Sequence, residues 1–176
     1  MTTPARPPLD PLTAATVTIA WVIFANKPFY PLYVWWLTSS GVEASLWTLL
    51  SAPFFLAIPF IARRSPLAAR MALPLVGTID TLFEAKLFGT GSGTELFLAP
   101  CIMLVALSFY AEEKWWQRGL AFFIFCAFVA AYDRLGTALH VWSDGDLSAL
   151  LNLNAFAVAS LMAFIALRWP GSARRG

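Results

Sequence analysis

Charged side chains are scarce in this sequence, since Asp, Glu, Lys and Arg together make up 12% of its 176 residues. Soluble globular domains usually carry about 25% of these residues, so the composition excludes an ordinary soluble domain. Hydrophobic residues, in contrast, make up 59% of the chain. The composition therefore predicts an integral membrane protein.

Histidine and cysteine are also rare, with one His and two Cys in the chain. One histidine excludes haem ligation by two histidines, and no His, Cys and carboxylate residues have the spacing of a metal site. Cys101 and Cys126 fall in apolar stretches and predict no disulfide framework. The last apolar stretch lacks the lysine that a retinal protein needs. We therefore expect no metal and no cofactor.

Motifs of known enzymes are missing as well, because neither GxSxG nor HExxH occurs. Asp80 and Glu84 still leave a membrane-embedded enzyme open, since two carboxylates can act as an acid and base pair. The sequence nevertheless favours a protein without catalytic activity. The net charge of +2 gives no reason to expect a nucleic-acid partner.

Long apolar runs dominate the rest of the chain, and a run of about 20 residues can cross a bilayer as a helix. The predicted spans are about 12–37, 44–62, 67–88, 95–111, 117–139 and 146–168. Because backbone groups in lipid must be satisfied within the structure, we predict an all-α integral membrane protein. It is a compact bundle of six transmembrane helices over 12–168, with tails at 1–11 and 169–176. One Arg precedes the stretch 12–25, so we expect this stretch to remain a span and not to be cleaved as a signal peptide.

The basic residues predict the orientation, since loops rich in Lys and Arg stay on the cytoplasmic side. Nine of the twelve basic residues fall on one side of the predicted bundle. These nine are Arg6, Arg63, Arg64, Arg70, Lys114, Arg118, Arg168, Arg174 and Arg175. The opposite connections carry only acidic charges, namely Glu43, Glu95, Asp144 and Asp146. Both termini are therefore predicted to be cytoplasmic, in a multi-pass protein of the bacterial inner membrane.

The remaining charges fall inside predicted spans, where each costs roughly 2.5–3.5 kcal/mol. Such groups normally pair, face the bundle interior or line a wet cavity. They are Lys27, Asp80, Glu84, Lys86, Asp133 and Arg134, all placed in the outer half. Asp80 and Glu84 share one helical face and would repel each other unless a cation or proton intervenes. We expect Lys27 or Arg134 to supply that cation, and Lys86 to snorkel to the outer interface.

Further polar groups are predicted at the same depth. Pro28 and Pro31 should break the first helix, and Tyr30, Tyr33, Trp35 and Trp36 follow as a rim. GTGSG at 89–93 predicts a tight hairpin, after which Glu95 could cap the fourth helix. The candidate ligand-binding residues are Lys27, Tyr30, Tyr33, Asp80, Glu84, Glu95, Asp133, Arg134, Asn152 and Asn154.

Three interpretations of these charges stay open. They can pair across helices only to fix the register, they can form a pocket open to the extracytoplasmic side, or they can relay protons or ions.

Two longer stretches carry a resemblance, KLFGTGSGTELFLAPCIMLVALSFYAEEKWW and LNLNAFAVASLMAFIALRW. They resemble the membrane sensor regions that precede the catalytic part of bacterial nucleotide cyclases and histidine kinases. The resemblance covers about residues 86–168 and rests on Gly89, Ser92, Gly93, Glu95, Leu96, Phe97, Glu112, Glu113, Asn152 and Asn154. It implies an extracytoplasmic sensing or docking module. Because this sequence ends about eight residues after its last predicted helix, we expect a signal to pass to a separate protein.

The sequence thus predicts a membrane sensor or binding module with an outward-facing polar pocket for a small molecule or a partner helix. A small transporter or permease component is the alternative, and a structural subunit of a larger membrane complex is a third. Expected partners are membrane lipid, an extracytoplasmic ligand, a signalling or transport protein, and a second copy of the chain.

Overall fold

The computed structural model describes residues 8–38, 40–131 and 135–169, and within these ranges all regular structure is helical. The α-helices are α1 (Pro11–Asn26), α2 (Phe29–Leu37), α3 (Val42–Leu46), α4 (Ala52–Ala62), α5 (Pro66–Phe88), α6 (Leu98–Leu107), α7 (Lys114–Ala131) and α8 (Asp144–Arg168). Short 3₁₀ segments lie at Trp47–Ser51, Thr90–Ser92, Thr94–Phe97 and Ala111–Glu113. The all-α prediction agrees with this architecture.

Two helical stretches are long and apolar enough to cross a membrane, Val42–Ala62 with 21 residues and Asp144–Arg168 with 25. The number rises to four if two bent pairs each count as one span. One pair is α1 with α2, bent by 44°, and the other joins Thr94–Leu107 to Ala111–Ala131 with a bend of 118°. By length and composition, the described residues therefore hold two to four candidate spans.

Helix α5 is the central element, although it is not among the candidate spans. It contacts α1, α4, α6 and α7, so its polar side chains are surrounded by other helices. A core of buried apolar residues joins α1, α4, α5, α6 and α8 through Ile19, Phe55, Leu73, Leu104 and Ile165. In lipid, such contacts hold helices together mainly by van der Waals packing.

The break between α1 and α2 follows from Pro28. A proline has no N–H for the carbonyl four residues earlier, and its ring clashes with that carbonyl, so α1 ends at Asn26. Beyond the break, α2 packs on α3 and α8, whereas α1 packs on α4 and α5. Pro31 is tolerated because it lies in the first turn of α2. The predicted break of the first helix is confirmed.

The two ends of the bundle hold different connections. The end that carries residues 40–43, 89–94 and 135–143 is called the upper end, and it closes where the Trp142 ring packs beside Gly41. The end that carries residues 8–10, 63–66 and 108–114 is called the lower end. Here Trp169 Nε1 donates to the carbonyl of Leu107 at 2.6 Å and ties α8 to α6.

Two sequence predictions fail in this region of the chain. The fifth helix was predicted to run over 117–139, but α7 is described as far as Ala131 and residues 135–143 are not helical. Lys86 does not snorkel to an interface, because its Nζ donates to the carbonyls of Leu135 at 2.7 Å and Thr137 at 2.8 Å. These bonds satisfy carbonyls that a continuing helix would have used internally.

Candidate functional site

Lys27, Asp80 and Glu84 form one ion cluster, which we call the triad. Lys27 Nζ lies 2.5 Å from Asp80 Oδ2 and 2.6 Å from Glu84 Oε1. The exposed fractions of the three side chains are 9%, 9% and 11%, so the cluster is shielded from solvent. The sequence left Lys27 and Arg134 open as the source of this cation. The structure shows Lys27 on both carboxylates, and Arg134 lies outside the described residues.

The fold around the α1–α2 break brings these side chains together. Lys27 is the C-cap residue of α1 and directly precedes Pro28, while Asp80 and Glu84 lie one turn apart on α5. The ring of Phe55, from α4, has its centroid 5.7 Å from Lys27 Nζ. The lysine therefore fastens the end of α1 to α5 within largely apolar surroundings.

With both carboxylates ionised, the triad carries one excess negative charge, because two carboxylates face one ammonium group. Asp80 Oδ1 is buried and has no hydrogen-bond partner among the residues that the structure describes. A buried acceptor without a partner costs about 1–3 kcal/mol, and an unbalanced charge in an apolar site costs more. The triad is thus a tight but incompletely satisfied cluster.

A chain of hydrogen bonds leads from the α1–α2 break to the upper end. Tyr30 OH donates to Asn154 Oδ1 at 3.2 Å, and Asn154 Nδ2 donates to the Ser92 carbonyl at 2.9 Å. Ser92 Oγ and Thr94 Oγ1 are 2.6 Å apart. Asn154 is fully buried, so these bonds satisfy its amide. This polar chain joins α2, α8 and the 89–94 connection.

The other predicted site residues do not join the triad. Tyr33 is 43% exposed, and Asn152 is exposed because it lies two residues from the buried Asn154 on α8. Glu95 lies in the 3₁₀ segment before α6, where no side-chain cap bond forms among the described residues. Its Oε2 is buried and has no partner within the same residues. Asp133 and Arg134 lie outside the described residues.

A groove of about 820 Å³ opens at the upper end, beside the triad rather than through it. Three parts of the chain form its walls. They are α3 with the 3₁₀ segment that follows it, helix α5, and the segment that contains Leu139 and His140. Its lining residues are Gly41, Val42, Glu43, Ala44, Trp47, Leu50, Phe83, Leu87, Leu139 and His140. No predicted site residue that the structure describes lines this groove, so it is distinct from the polar pocket expected from the sequence. Its walls are mostly apolar, with Glu43 and His140 as its titratable groups.

A second cluster, at the lower end, was missed by the sequence predictions. Arg70 was placed in a connection, but it lies in α5 and is 3% exposed. Its Nη1 and Nη2 donate to the two carboxylate oxygens of Glu113 at 2.9 and 2.6 Å. Its guanidinium lies 4.8 Å from the ring centroid of Tyr110, whose hydroxyl donates to Asp10 Oδ1 at 3.0 Å. We call Asp10, Arg70, Tyr110 and Glu113 the lower cluster.

Asp10 anchors this cluster to the start of α1. Its carboxylate accepts from the Thr13 backbone N–H at 3.0 Å and from Thr13 Oγ1 at 2.6 Å, which makes it the N-cap of α1. Burial acts to raise the pKa of Asp10, but the hydrogen bonds from Thr13 and Tyr110 and the charge of Arg70 outweigh it. The pKa of Asp10 is therefore held below its ordinary value.

Two local signals in the sequence point toward the lower cluster. Asp10 directly precedes Pro11 and an apolar run, which is the pattern of a helix N-cap followed by proline. Glu113 follows Tyr110 by three residues, the spacing at which a glutamate reaches back to a free backbone N–H. Neither signal indicates Arg70 as the shared partner, because that contact joins segments about 40 residues apart in the chain.

No protein-family model, no curated protein and no solved structure matches this chain. The resemblance of residues 86–168 to bacterial sensor regions therefore stays a prediction from the sequence.

Proposed function

We propose that this chain is a sensor or binding module of the bacterial inner membrane. It forms a six-helix bundle whose upper end faces the extracytoplasmic side and whose termini are cytoplasmic. A signal received at the upper end passes to a separate protein. The observation that carries this proposal is the triad, which places an incompletely balanced charge cluster at the joint of a broken helix.

The distribution of exposed charge supports this orientation. Arg63, Arg64, Lys114 and Arg118 are exposed at the lower end, and basic residues favour the cytoplasmic side. The upper end exposes Glu43 and Asp144 instead.

The joint is suited to transmit a signal because polar side chains on both sides of it connect to other helices. Lys27 fixes the end of α1 to α5, and Tyr30, three residues later, fixes α2 to Asn154 of α8. A change at the upper end that moves α2 strains both attachments at once. Release of Lys27 leaves two buried carboxylates unpaired, so the paired state is favoured until another cation or a proton replaces the lysine.

Purification of the native protein in a gentle detergent tests the sensing function. We expect a protein with its own cytoplasmic signalling domain to co-purify. Glu84→Gln should retain the association and change the output of that protein, since it removes a charge from the triad without changing side-chain size. Asn152→Ala, at an exposed position of α8, is the matched control and should leave the output unchanged. Purification of this chain without any associated protein would contradict the proposal.

A transporter or permease component is the second candidate, and the broken helix beside buried carboxylates favours it. Broken helices often border the substrate sites of transporters. Proteoliposomes distinguish the two functions, because flux that disappears in Asp80→Asn identifies transport. Binding without flux identifies sensing.

A further inference from the structure

The upper groove has two chemically different parts. Its walls are mainly apolar, with Val42, Leu50, Phe83, Leu87 and Leu139 among the lining residues. Its volume of about 820 Å³ lies within the range of about 300–1,000 Å³ that small-molecule sites occupy. An apolar chain can therefore fill most of the groove.

The charged part of the groove is Glu43. It is exposed, and it makes no hydrogen bond or ion pair with the residues described by the structure. Glu43 and Trp47 are four residues apart on one helical stretch and Leu50 follows three residues later, so all three share a face. A positive group beside Glu43 would thus also reach the Trp47 ring, which is 57% exposed and attracts cations.

Charge at the upper end favours a cation over an anion. Glu43 and Asp144 are exposed there, and the Lys86 ammonium is occupied by two backbone carbonyls. Within residues 8–38, 40–131 and 135–169, no basic side chain of Lys or Arg lines the groove. An anionic head group would meet the Glu43 carboxylate without a compensating charge.

We infer that the upper groove binds an amphipathic cation, a molecule with an apolar chain and an ammonium head group, placed with its head between Glu43 and Trp47. This inference rests on the proposed sensing function, for which it names the class of ligand. The triad remains the element that responds, because Phe83 and Leu87 of the groove belong to the same turns of α5 as Glu84.

Binding of decyltrimethylammonium to the full chain in nanodiscs of zwitterionic lipid tests this inference. Decanol and decyl sulfate, which have the same chain length, are the matched probes. We expect the cation to raise the melting temperature in a saturable manner and the other two probes to produce only the shift caused by lipid partitioning. Glu43→Gln should raise the half-saturating concentration about three- to fivefold, since an exposed ionic or cation–π contact is weak.

Two further variants locate the site. Leu50→Trp places a larger side chain in the groove at a position that is 54% exposed, so the protein should fold and lose the saturable shift. Glu112→Gln removes an exposed carboxylate at the lower end and should bind the cation as the unchanged chain does. Equal shifts from all three probes, or an unchanged half-saturating concentration in Glu43→Gln, overturn the inference.

The outcome also separates this inference from the proposed function. If Asp80→Asn loses binding of the cation and Leu50→Trp retains it, the cation binds at the triad. This result overturns the groove site but is compatible with the proposed sensing function. In another outcome, the native protein binds the cation saturably in the groove but co-purifies with no partner. This result supports the ligand site and contradicts signalling through a separate protein.

Discussion

At the scale of single residues, Lys27 has the largest consequence for the stability of this protein. Its ammonium group is the partner of two buried carboxylates, Asp80 and Glu84. Removal of one member of a buried ion cluster costs more than the cluster itself contributes, because the remaining charges stay buried and unpaired.

Replacement of Lys27 by methionine should therefore lower the free energy of unfolding by about 3–5 kcal/mol. Adding Asp80→Asn and Glu84→Gln to the same chain should recover much of that loss, since no uncompensated charge remains. Denaturant-induced unfolding in detergent measures both effects. Lys114→Met, which removes an exposed lysine, is the control and should change stability little. If Lys27→Met alone and the triple variant lose similar free energies of unfolding, the shape of Lys27, and not its charge, decides its effect on stability.

Gly41 is a second residue whose chemistry the structure explains. Its φ is +79°, and a Cβ built there would lie 2.2 Å from the Trp142 ring. Gly41→Ala should lower the melting temperature, because the left-handed conformation alone costs about 1–2 kcal/mol for an alanine and the indole must also move. Gly119→Ala is the matched control, since it lies in α7 with no atom within 4 Å of the added Cβ. That control should be stabilising by about 0.5–1 kcal/mol, and a stabilising Gly41→Ala would contradict the close packing of Trp142.

At the scale of elements, α1 is fastened at both of its ends by ionic groups. Asp10 caps its N-terminus and joins the lower cluster, while Lys27 at its C-terminus joins the triad. Both attachments lead to α5, since Arg70 and Glu84 belong to that helix. A displacement at one end of α1 is therefore opposed at the other.

The cap at Asp10 should contribute stability that depends on pH. Asp10→Ala should lower the free energy of unfolding by about 1 kcal/mol near neutral pH. The folded pKa lies below the ordinary value of 3.8, so this contribution is fully present above pH 3.8 and is lost as pH falls through the folded value. Unfolding of both chains between pH 7 and pH 3 measures the difference. Asp10→Asn keeps a capping side chain and should lose less free energy of unfolding than Asp10→Ala. If the difference in free energy between the unchanged chain and Asp10→Ala is constant with pH, the carboxylate charge plays no part.

At the scale of the whole molecule, the arrangement explains how α5 carries so many ionisable groups. Arg70, Asp80, Glu84 and Lys86 make it the most polar of the long helices, but α1, α4, α6 and α7 surround it. Helices of lower polarity, including α4 and α8, form candidate spans. The bundle thus places the charges of α5 among its helices, as membrane proteins generally do with charges inside a span.

The proposed topology predicts which residues are reached from each side of the membrane. In a chain with Cys101 and Cys126 replaced by alanine, Arg64→Cys should react with an impermeant thiol reagent only from the cytoplasmic side. Glu43→Cys should react only from the outside. Both positions are exposed in the structure, so a lack of reaction is not expected. Labelling of both cysteines from the same side would contradict a bundle that crosses the membrane between them.

The pairing within the triad was within reach of the sequence, whereas other parts of the site were not. Asp80 and Glu84 share a face at helical spacing, and an apolar chain leaves them few partners, so the candidates for their cation could be narrowed to Lys27 and Arg134. Lys86 lies two residues after Glu84 on the same helix, yet its partners are backbone carbonyls of a segment that the sequence predicted as helix. Backbone acceptors carry no signature in the sequence.

The sequence by itself determined the helical class, the break at Pro28 and the need for buried charges to meet, because apolar surroundings and proline geometry act locally and leave few solutions. Only the tertiary structure decided which segments lie side by side. The lower cluster forms because distant segments of the chain approach one another. The groove beside Glu43 depends on the same kind of approach. Their positions follow from how helices pack, and packing depends on the shapes of many side chains together.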